Sequence, residues 1–493
     1  MVPKRVSASL QRRIDSYPCR GPIFAACLLL CPAAFAGQDE DLNLIPQSAS
    51  FLQNPPTPAP KSKWHSFKFF AEAEGQLYTN RDHVIVAVPD AYLPSWGSRL
   101  TLYGKADIRM LPSLSLTIVD RLNHLSDEHS NFPSGKVQND LNEAYLSWNV
   151  FHEHYLDVGR INLKSGVAIG FNPTDFFKKN AVSIRISEDP LVLRENRLGT
   201  LMARWQSIIP LGSLTLAAAP GIPDRRGRWI TDGTSGALWL QRTNPAPRYL
   251  AKVTASHKGF NSDLSYYNED KNSFLGADLS HGIGDRWVMY GEWSGGRQYN
   301  IVTNALLDDA KIFGINAEPY TWVVPGDSRK RFRSQVATGF SFTESAHKRS
   351  TYVEYHYNEA GMRTKEWNYW YTAGYYTSYL NDPALAPIYT RSLETLWSIR
   401  DCAQRSMEPT SRHQLFVRNQ WQEAFFKKLD LVNLFQINLQ DGSFFAQPMG
   451  KYYLNDKIML TLTLNFYIGP RKSEYGSINR WNATKLGITY FFN

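Results

Sequence analysis

The feature that most constrains this fold is a period of two in hydropathy. Between Lys457 and Ile468 every second residue is apolar, over six repeats. The same alternation recurs between Ser98 and Met110. Because successive side chains of a strand point to opposite faces, each segment predicts a strand with one apolar and one polar face. Strands of this kind build either a soluble sheet protein or a barrel that meets lipid outside and water inside.

Composition excludes two other classes of protein. Aromatic residues make up 13% of the 493 residues, which is too many for a disordered chain, and glycine and proline show no collagen-like repeat. Beyond the N-terminal region, no segment approaches the roughly 18 nearly uncharged apolar residues that a transmembrane helix needs. A large soluble all-β or multidomain protein and a membrane β-barrel remain, and the connections between the strands must separate them.

The first 36 residues have the order of a secretory signal peptide. Basic residues precede an apolar core at Ile23–Leu30, and Ala34-Phe35-Ala36 supplies a small-x-small cleavage site. Cleavage after residue 36 lowers the formal net charge from +9 to +5 and leaves Cys402 as the one cysteine. Internal disulfides therefore do not stabilise the exported protein.

Residues 37–63 predict a linker, and residues 64–493 predict the barrel. The linker contains five prolines and an acidic start, which favours an extended chain. Its length is too short for a folded plug domain. We therefore expect one membrane domain after the signal peptide and linker.

About eighteen antiparallel strands are predicted. Alternating segments begin near residues 65, 98, 113, 140, 155, 197, 211, 248, 261, 273, 286, 331, 349, 412, 429, 443, 457 and 484. Short turns alternate with mostly long segments, which is typical of a transmembrane β-barrel with short periplasmic turns and long extracellular loops. The connections near Asp270 and Asp441 are short where this scheme expects long ones, so sixteen strands are the alternative.

The C-terminal segment carries a more specific signal. From Lys485 to Phe492, apolar residues occupy one face and the last of them is aromatic. This resembles the terminal strand by which the barrel assembly machinery recognises outer-membrane barrels, although Asn493 follows the aromatic residue here. The machinery and outer-membrane lipid are therefore expected partners.

One segment carries a resemblance to a known group of proteins. It runs from Asp157 to Phe177, with the sequence DVGRINLKSGVAIGFNPTDFF, and is followed by Glu188-Asp189-Pro190 and Arg194-Glu195-Asn196-Arg197. It resembles a strand and loop in poorly characterised porin-like outer-membrane proteins of Gram-negative bacteria. The resemblance implies a barrel in the bacterial outer membrane and does not imply a transported solute.

The polar strand faces carry more basic than acidic groups. If the apolar faces meet lipid, the polar faces line a pore, and its candidate residues are Arg99, Lys105, Arg109, Arg204, Arg331, Arg333, Glu354 and Arg418. A basic wall raises the local concentration of anions, over a screening length of about 8 Å at physiological salt. The alternative is a wall braced by balanced arginine–carboxylate pairs.

The segment 162–196 is the best candidate for a loop that folds into the pore. With the start of the next strand, it places charged residues beside phenylalanines, and its constriction candidates are Asp175, Arg185, Arg194 and Arg197. Pro173 and Pro190 restrict its backbone, which favours an ordered segment. The alternative is an external loop whose charges are solvated.

Enzyme and metal chemistry have weaker signals. His152-Glu153-His154 lacks a third well-spaced metal ligand. His356 and Glu354 share a strand face, yet no nucleophile motif accompanies them. The aromatic-rich segment 359–411 is either a packed extracellular loop or a surface that binds sugars or a partner. We expect no catalytic residue, cofactor, metal or nucleic-acid partner.

These patterns together predict an outer-membrane pore for the passive diffusion of small polar solutes, with anions favoured if the basic groups face an open lumen. Two alternatives belong to other classes. One is an export or assembly component for a secreted product, and the other is a barrel enzyme that acts on lipid.

Overall fold

The computed structural model describes residues 65–82, 84–88, 93–127, 137–222, 238–313, 324, 327, 329–379 and 386–492. The predicted signal peptide and linker lie outside the described residues.

Eighteen strands form one sheet. They are β1 (His65–Asn80), β2 (Trp96–Leu111), β3 (Leu114–Asp127), β4 (Val137–Phe151), β5 (His154–Ile161), β6 (Thr200–Ile209), β7 (Gly212–Ala219), β8 (Arg248–His257), β9 (Phe260–Glu269), β10 (Asn272–Ile283), β11 (Trp287–Gln298), β12 (Arg331–Glu344), β13 (Arg349–Asn358), β14 (His413–Trp421), β15 (Leu429–Asn438), β16 (Phe444–Asn455), β17 (Ile458–Ile468) and β18 (Arg480–Phe491).

The sheet closes on itself. Every strand is antiparallel to its sequence neighbours, and β1 pairs with both β2 and β18, so that Phe70 lies between Tyr103 and Phe491. A closed sheet leaves no unpaired edge, which is the condition for a β structure to span lipid. The predicted transmembrane barrel and its eighteen strands are confirmed, and the sixteen-strand alternative is wrong.

The connections differ between the two ends of the barrel. At one end, eight turns of two to seven residues join the strands, and 258–259 is an example. Lys258 and Gly259 both have positive φ, at 48° and 81°, which is the type I′ geometry of a two-residue hairpin. At the other end lie the long segments, including 162–199, 299–330 and 359–412. The short connections 270–271 and 439–443 also lie at this end, so they preserve the alternation of ends.

The outer face of the barrel is apolar. Leu100 and Leu102 of β2 and Leu462 of β17 are about half exposed, and Leu486 of β18 is 62% exposed. The residues that alternate with them along the strands, such as Thr101, are buried on the inner face of the barrel. An apolar exterior with a polar interior is the reverse of a soluble sandwich and suits a lipid-facing band. Among the described residues, no helix combines the length and apolarity that a membrane span requires.

In the part of the chain that the structure describes, five α-helices lie in the connections. They are α1 (Pro190–Glu195), α2 (Leu240–Thr243), α3 (Ile301–Phe313), α4 (Thr364–Tyr379) and α5 (Ala386–Ser406). The last three share an apolar core with Val86, in which Trp370 and Leu396 are completely buried. The aromatic residues of 359–411 therefore include core residues of a packed extracellular layer, which the alternation pattern did not predict.

Candidate functional site

The segment 162–199, called the inward loop below, folds into the barrel. It connects β5 to β6, and most of its residues are buried. Its contacts reach strands on opposite sides of the barrel: Arg121 of β3 donates to Asn196 Oδ1, and Glu354 of β13 accepts the Ile169 N–H at 2.6 Å. The loop therefore crosses the lumen.

A carboxylate on β11 holds the first part of the inward loop. Glu292 accepts the backbone N–H groups of Val167 and Ala168 at 3.0 and 3.1 Å. Its other oxygen accepts the N–H and the hydroxyl of Thr174 at 2.7 and 2.8 Å. Gly166 makes this approach possible, because its φ is +89° and a Cβ there would collide with the Glu292 carboxylate.

A second carboxylate, on β13, holds the next two residues. Glu354 accepts the backbone N–H groups of Ile169 and Gly170 at 2.6 and 2.9 Å. It also accepts the Tyr290 hydroxyl at 2.7 Å and contacts His356 Nε2 at 2.8 Å. Glu292 and Glu354 therefore act as wall anchors that satisfy the backbone donors of residues 167–174, which have no regular secondary structure.

An internal ion pair fixes the shape of the inward loop. Arg197 Nη1 and Nη2 donate to Asp175 at 2.8 and 3.2 Å, and Arg197 Nε donates to Asn162 at 2.6 Å. Both charged groups are almost completely buried. A bidentate guanidinium–carboxylate pair is strong and directional, so it ties the two ends of the loop to its middle.

Strand side chains also hold the last part of the loop. Asp189 caps α1 by accepting the Leu191 N–H at 3.1 Å, and its second oxygen accepts Arg418 Nε at 3.0 Å. Phe176 stacks on Tyr267 of β9 with ring centroids 4.7 Å apart. Polar and aromatic contacts thus hold the loop against several strands.

Most of the predicted pore-lining residues have carboxylate partners in the structure. Arg99 pairs with Glu72 and Glu74, Lys105 with Asp107 at 3.5 Å, Arg204 with Asp157 at 2.6 Å, and Arg331 and Arg333 with Asp327 at 2.9 and 2.8 Å. Further wall pairs that were not among the candidates are Lys252–Asp263 and Arg248–Glu269. This pairing is the braced wall that the sequence left open as an alternative.

Two of the predicted residues have special positions. Glu354 is an anchor of the inward loop, and Arg418 holds Asp189, so both act through the loop. Arg109 lies near the short-turn end of β2 and is exposed. The wall therefore contains both buried bracing groups and a few charges at its mouth.

The four constriction candidates divide in a similar way. Asp175, Arg194 and Arg197 are buried within or beneath the inward loop. Arg185 is partly exposed and pairs with Glu188 at 2.7 Å. Most of the charges chosen in this segment therefore contact the loop itself, and their effect on a pore stays a prediction. Glu292 was missed, because nothing near it in sequence marks its contacts.

The extracellular layer covers the loop from the other side. Arg400 of α5 lies 5.5 to 5.7 Å from the ring centroids of Trp367, Trp370 and Trp397. It also donates to the Glu474 carbonyl at 2.9 Å. Burial raises the pKa of the Glu474 carboxyl, and the positive charge of Arg400 opposes that shift. This layer therefore contains charged groups whose protonation depends on its packing.

The residues considered for metal or enzyme chemistry have other contacts. Within the described part of the chain, no three metal-ligating side chains form a group. His154 Nδ1 lies 2.8 Å from the Ser207 hydroxyl, and His356 is packed between the rings of Phe171 and Phe416. His356 and Glu354 therefore have structural partners in the wall and the loop.

Comparison with known proteins gives architecture alone. No family model matches the chain, and no curated protein matches it. A triple mutant of Rhodopseudomonas blastica porin is 9% identical with a TM-score of 0.37, over 87% of this chain and 100% of that chain. Pseudomonas aeruginosa OccK11 (OpdR) is 11% identical with a TM-score of 0.46, over 87% and 95%. Salmonella typhi OmpF in complex with daunomycin is 8% identical with a TM-score of 0.39, over 87% and 97%.

The architecture is porin-like. Identities and TM-scores this low carry no argument about cargo or mechanism. The closed eighteen-stranded barrel with an apolar exterior is the membrane-spanning feature of the chain itself.

Proposed function

We propose that this protein is a porin-like channel of the bacterial outer membrane for the passive diffusion of small polar solutes. The observation that carries the proposal is the inward loop, which lies across the lumen of a closed barrel and is fixed there by Glu292 and Glu354. A loop that only covered the outside of the barrel would not need anchors on the inner wall.

The burial of the inner wall supports a narrow passage. Inward residues such as Thr101, Gln447 and Asn465 are nearly inaccessible, although they face the lumen of a large barrel. A wide water-filled channel would expose such side chains, as it does in large porins. We therefore expect the channel to exclude bulky solutes and to pass small ones slowly.

Anion preference is the finer part of the proposal and rests on the mouth at the short-turn end. Lys68 and Lys105 lie opposite each other on β1 and β2, and Arg109 lies further along the same face. The acidic groups near them are Asp107, 3.5 Å from Lys105, and Glu143, which interacts with Lys105 through space. A local excess of positive charge attracts anions within a Debye length of about 8 Å. We expect the anion preference to be modest, because the basic groups deeper in the wall are paired with carboxylates.

Two measurements on refolded protein test the proposal. Liposomes that contain the protein should swell in small polar solutes and much less in a disaccharide, because the inward loop leaves a narrow passage. Liposomes that remain tight to every small solute, although the barrel is folded and inserted, would contradict channel function.

Reversal potentials under a salt gradient test the anion preference. The double variant Lys105→Glu with Arg109→Glu should shift the reversal potential toward cation preference. Lys427→Glu is the matched control, because Lys427 is exposed in the turn 422–428 and lies outside this cluster. Equal shifts of the reversal potential in the double variant and the control, or no shift in either, would reject this mechanism of anion preference. Neither result would contradict the diffusion of solutes through the channel.

A further inference from the structure

A cavity lies where the inward loop, α5 and the segment 469–479 meet. Its volume is about 130 Å³. A cavity of about 150 Å³ in a protein core accommodates benzene, so this one has room for a solute of about five or six non-hydrogen atoms. Both α5 and 469–479 belong to the long-loop end of the barrel. A solute that enters from outside the cell would therefore meet the cavity beside the inward loop.

Charges of both signs line this cavity in equal number. The cations are Lys178, Arg185, Arg194 and Arg400, and the carboxylates are Asp175, Glu188, Glu408 and Glu474. A lone anion or cation would add uncompensated charge to a partly buried and already balanced site, which is costly. A solute with one positive and one negative group would add none.

Arg194 supplies a donor for the negative group. Its side chain is more than nine-tenths buried, and its Nη2 donates to the Ser165 carbonyl at 2.7 Å. Its Nε has no hydrogen-bond partner among the described residues. The nearest carboxylate oxygen, on Asp175, is 3.8 Å away and is already held by Arg197. Since buried N–H groups in proteins are nearly always bonded, this free donor indicates a place for an acceptor.

Glu408 supplies an acceptor for the positive group. Within the described part of the chain, no side chain donates a hydrogen bond to its carboxylate or forms an ion pair with it inside 4.0 Å. Lys178 and Lys179 interact with it through space, and neither donates a hydrogen bond to it. The Lys178 ammonium is held elsewhere, by the Asn172 carbonyl at 2.6 Å and over the Phe171 ring at 4.4 Å. Glu408 therefore keeps acceptor capacity toward the cavity.

We propose that this cavity binds a small zwitterion, with its carboxylate on Arg194 and its ammonium group on Glu408. The inference rests on the proposed channel function and deepens it, because it names a substrate class for the extracellular side of the constriction. The remaining charges around the cavity are paired or stacked: Arg185 with Glu188, Arg400 with its tryptophans, and Glu474 with Asn438 at 2.9 Å.

Glycine is the probe, because it has five non-hydrogen atoms and both charges. Equilibrium binding to refolded protein in detergent is compared for glycine, acetate and methylammonium at matched ionic strength. Glycine should bind about tenfold or more tightly than either single-charge probe, since each of its groups gains a charge-assisted hydrogen bond. In planar bilayers, glycine on the loop side should reduce the ionic current with the same concentration dependence.

Two variants assign the binding to this cavity. Glu408→Gln should weaken glycine binding about tenfold or more while acetate binds as before or better. Glu394→Gln is the matched control, because Glu394 lies on α5, pairs with Arg391 at 3.2 Å and does not line the cavity. It should bind glycine like the parent protein.

The outcomes separate this inference from the channel proposal. A conducting protein that neither binds glycine nor is blocked by it would overturn the zwitterion site and leave the channel standing. Binding of glycine without any conductance would support the zwitterion site and contradict the channel function. Acetate that binds as tightly as glycine, or an unchanged affinity in Glu408→Gln, would also refute the assignment.

Discussion

Replacing Glu292 by glutamine tests whether this carboxylate holds the inward loop in the lumen. The carboxylate accepts four hydrogen bonds, two on each oxygen: from Val167 N and Ala168 N, and from the N–H and hydroxyl of Thr174. In Glu292→Gln one oxygen becomes an NH₂ group that cannot accept. If this group faces Thr174, the hydroxyl can turn and accept from it, and one buried backbone N–H is then left without an acceptor.

The cost of this change follows from those contacts. One orphaned buried donor costs about 1–3 kcal/mol, and the hydrogen bonds that remain weaken by roughly 1 kcal/mol as the charge is lost. The bound position of the loop is therefore destabilised by about 2–4 kcal/mol relative to the released loop. This raises the population of the released loop roughly 30-fold to 1,000-fold. The sheet is untouched, so the barrel itself should fold as before.

Single-channel recording combined with limited proteolysis measures this effect. We expect larger and noisier open currents, and faster trypsin cleavage after Lys178 and Lys179, because the loop leaves the lumen more often. Glu344→Gln is the control, since its carboxylate pairs with His347 in a short turn at 2.8 Å. Wild-type conductance, noise and cleavage rate in Glu292→Gln would refute the anchoring role.

Further predictions concern other parts of the molecule. Arg197→Gln should destabilise the inward loop by up to about 3–5 kcal/mol, because the buried Asp175 carboxylate loses its bidentate partner and keeps only Arg194 at 3.8 Å, and the loop should then be cleaved rapidly by protease. Trp370→Ala should cost the extracellular layer about 3–5 kcal/mol, seen as faster hydrogen exchange in α4 and α5 with unchanged exchange in the strands. Leu462→Lys, on the lipid face, should cost the folded barrel about 2–4 kcal/mol in denaturant titrations. Burial raises the pKa of the Cys402 thiol to about 12, so maleimide should label it only after unfolding, and rapid labelling of the folded protein would contradict the packing of α5.

The barrel could be predicted because its signal is local. Alternation places each strand within a few residues of its observed start, and the largest differences are at β18, which begins at Arg480 instead of near residue 484, and at β4 and β6, which begin at Val137 and Thr200. Because the connections near Asp270 and Asp441 are short, the sequence alone did not decide between eighteen and sixteen strands. Closure between β1 and β18 resolves it, and closure joins residues that are more than 400 positions apart.

The helices of 359–411 were not predicted, because the aromatic residues there fitted both a packed extracellular loop and a binding surface. In α4, Trp367, Trp370 and Tyr371 have the spacing of one helix face, and they are buried against α5. Their partners lie in other connections, so the pattern alone did not distinguish a core from an exposed aromatic patch.

The site was only partly predictable for the same reason. Charged residues beside phenylalanines made 162–196 the candidate for a constriction loop, and the structure places this segment inside the barrel. The role of each charge depends on partners across the barrel, as with Glu292, which is 118 residues from Thr174 in sequence. A single carboxylate on a strand gives no sign that it will accept four hydrogen bonds from a distant loop.

The central claim is that solutes pass through the lumen and that the inward loop restricts them. Single-channel current from refolded wild-type protein in a planar bilayer, recorded beside Glu292→Gln, tests it most directly. We predict stepwise ohmic currents in the wild type and larger ones in the variant. A folded, inserted barrel that carries no current in either protein would contradict the claim.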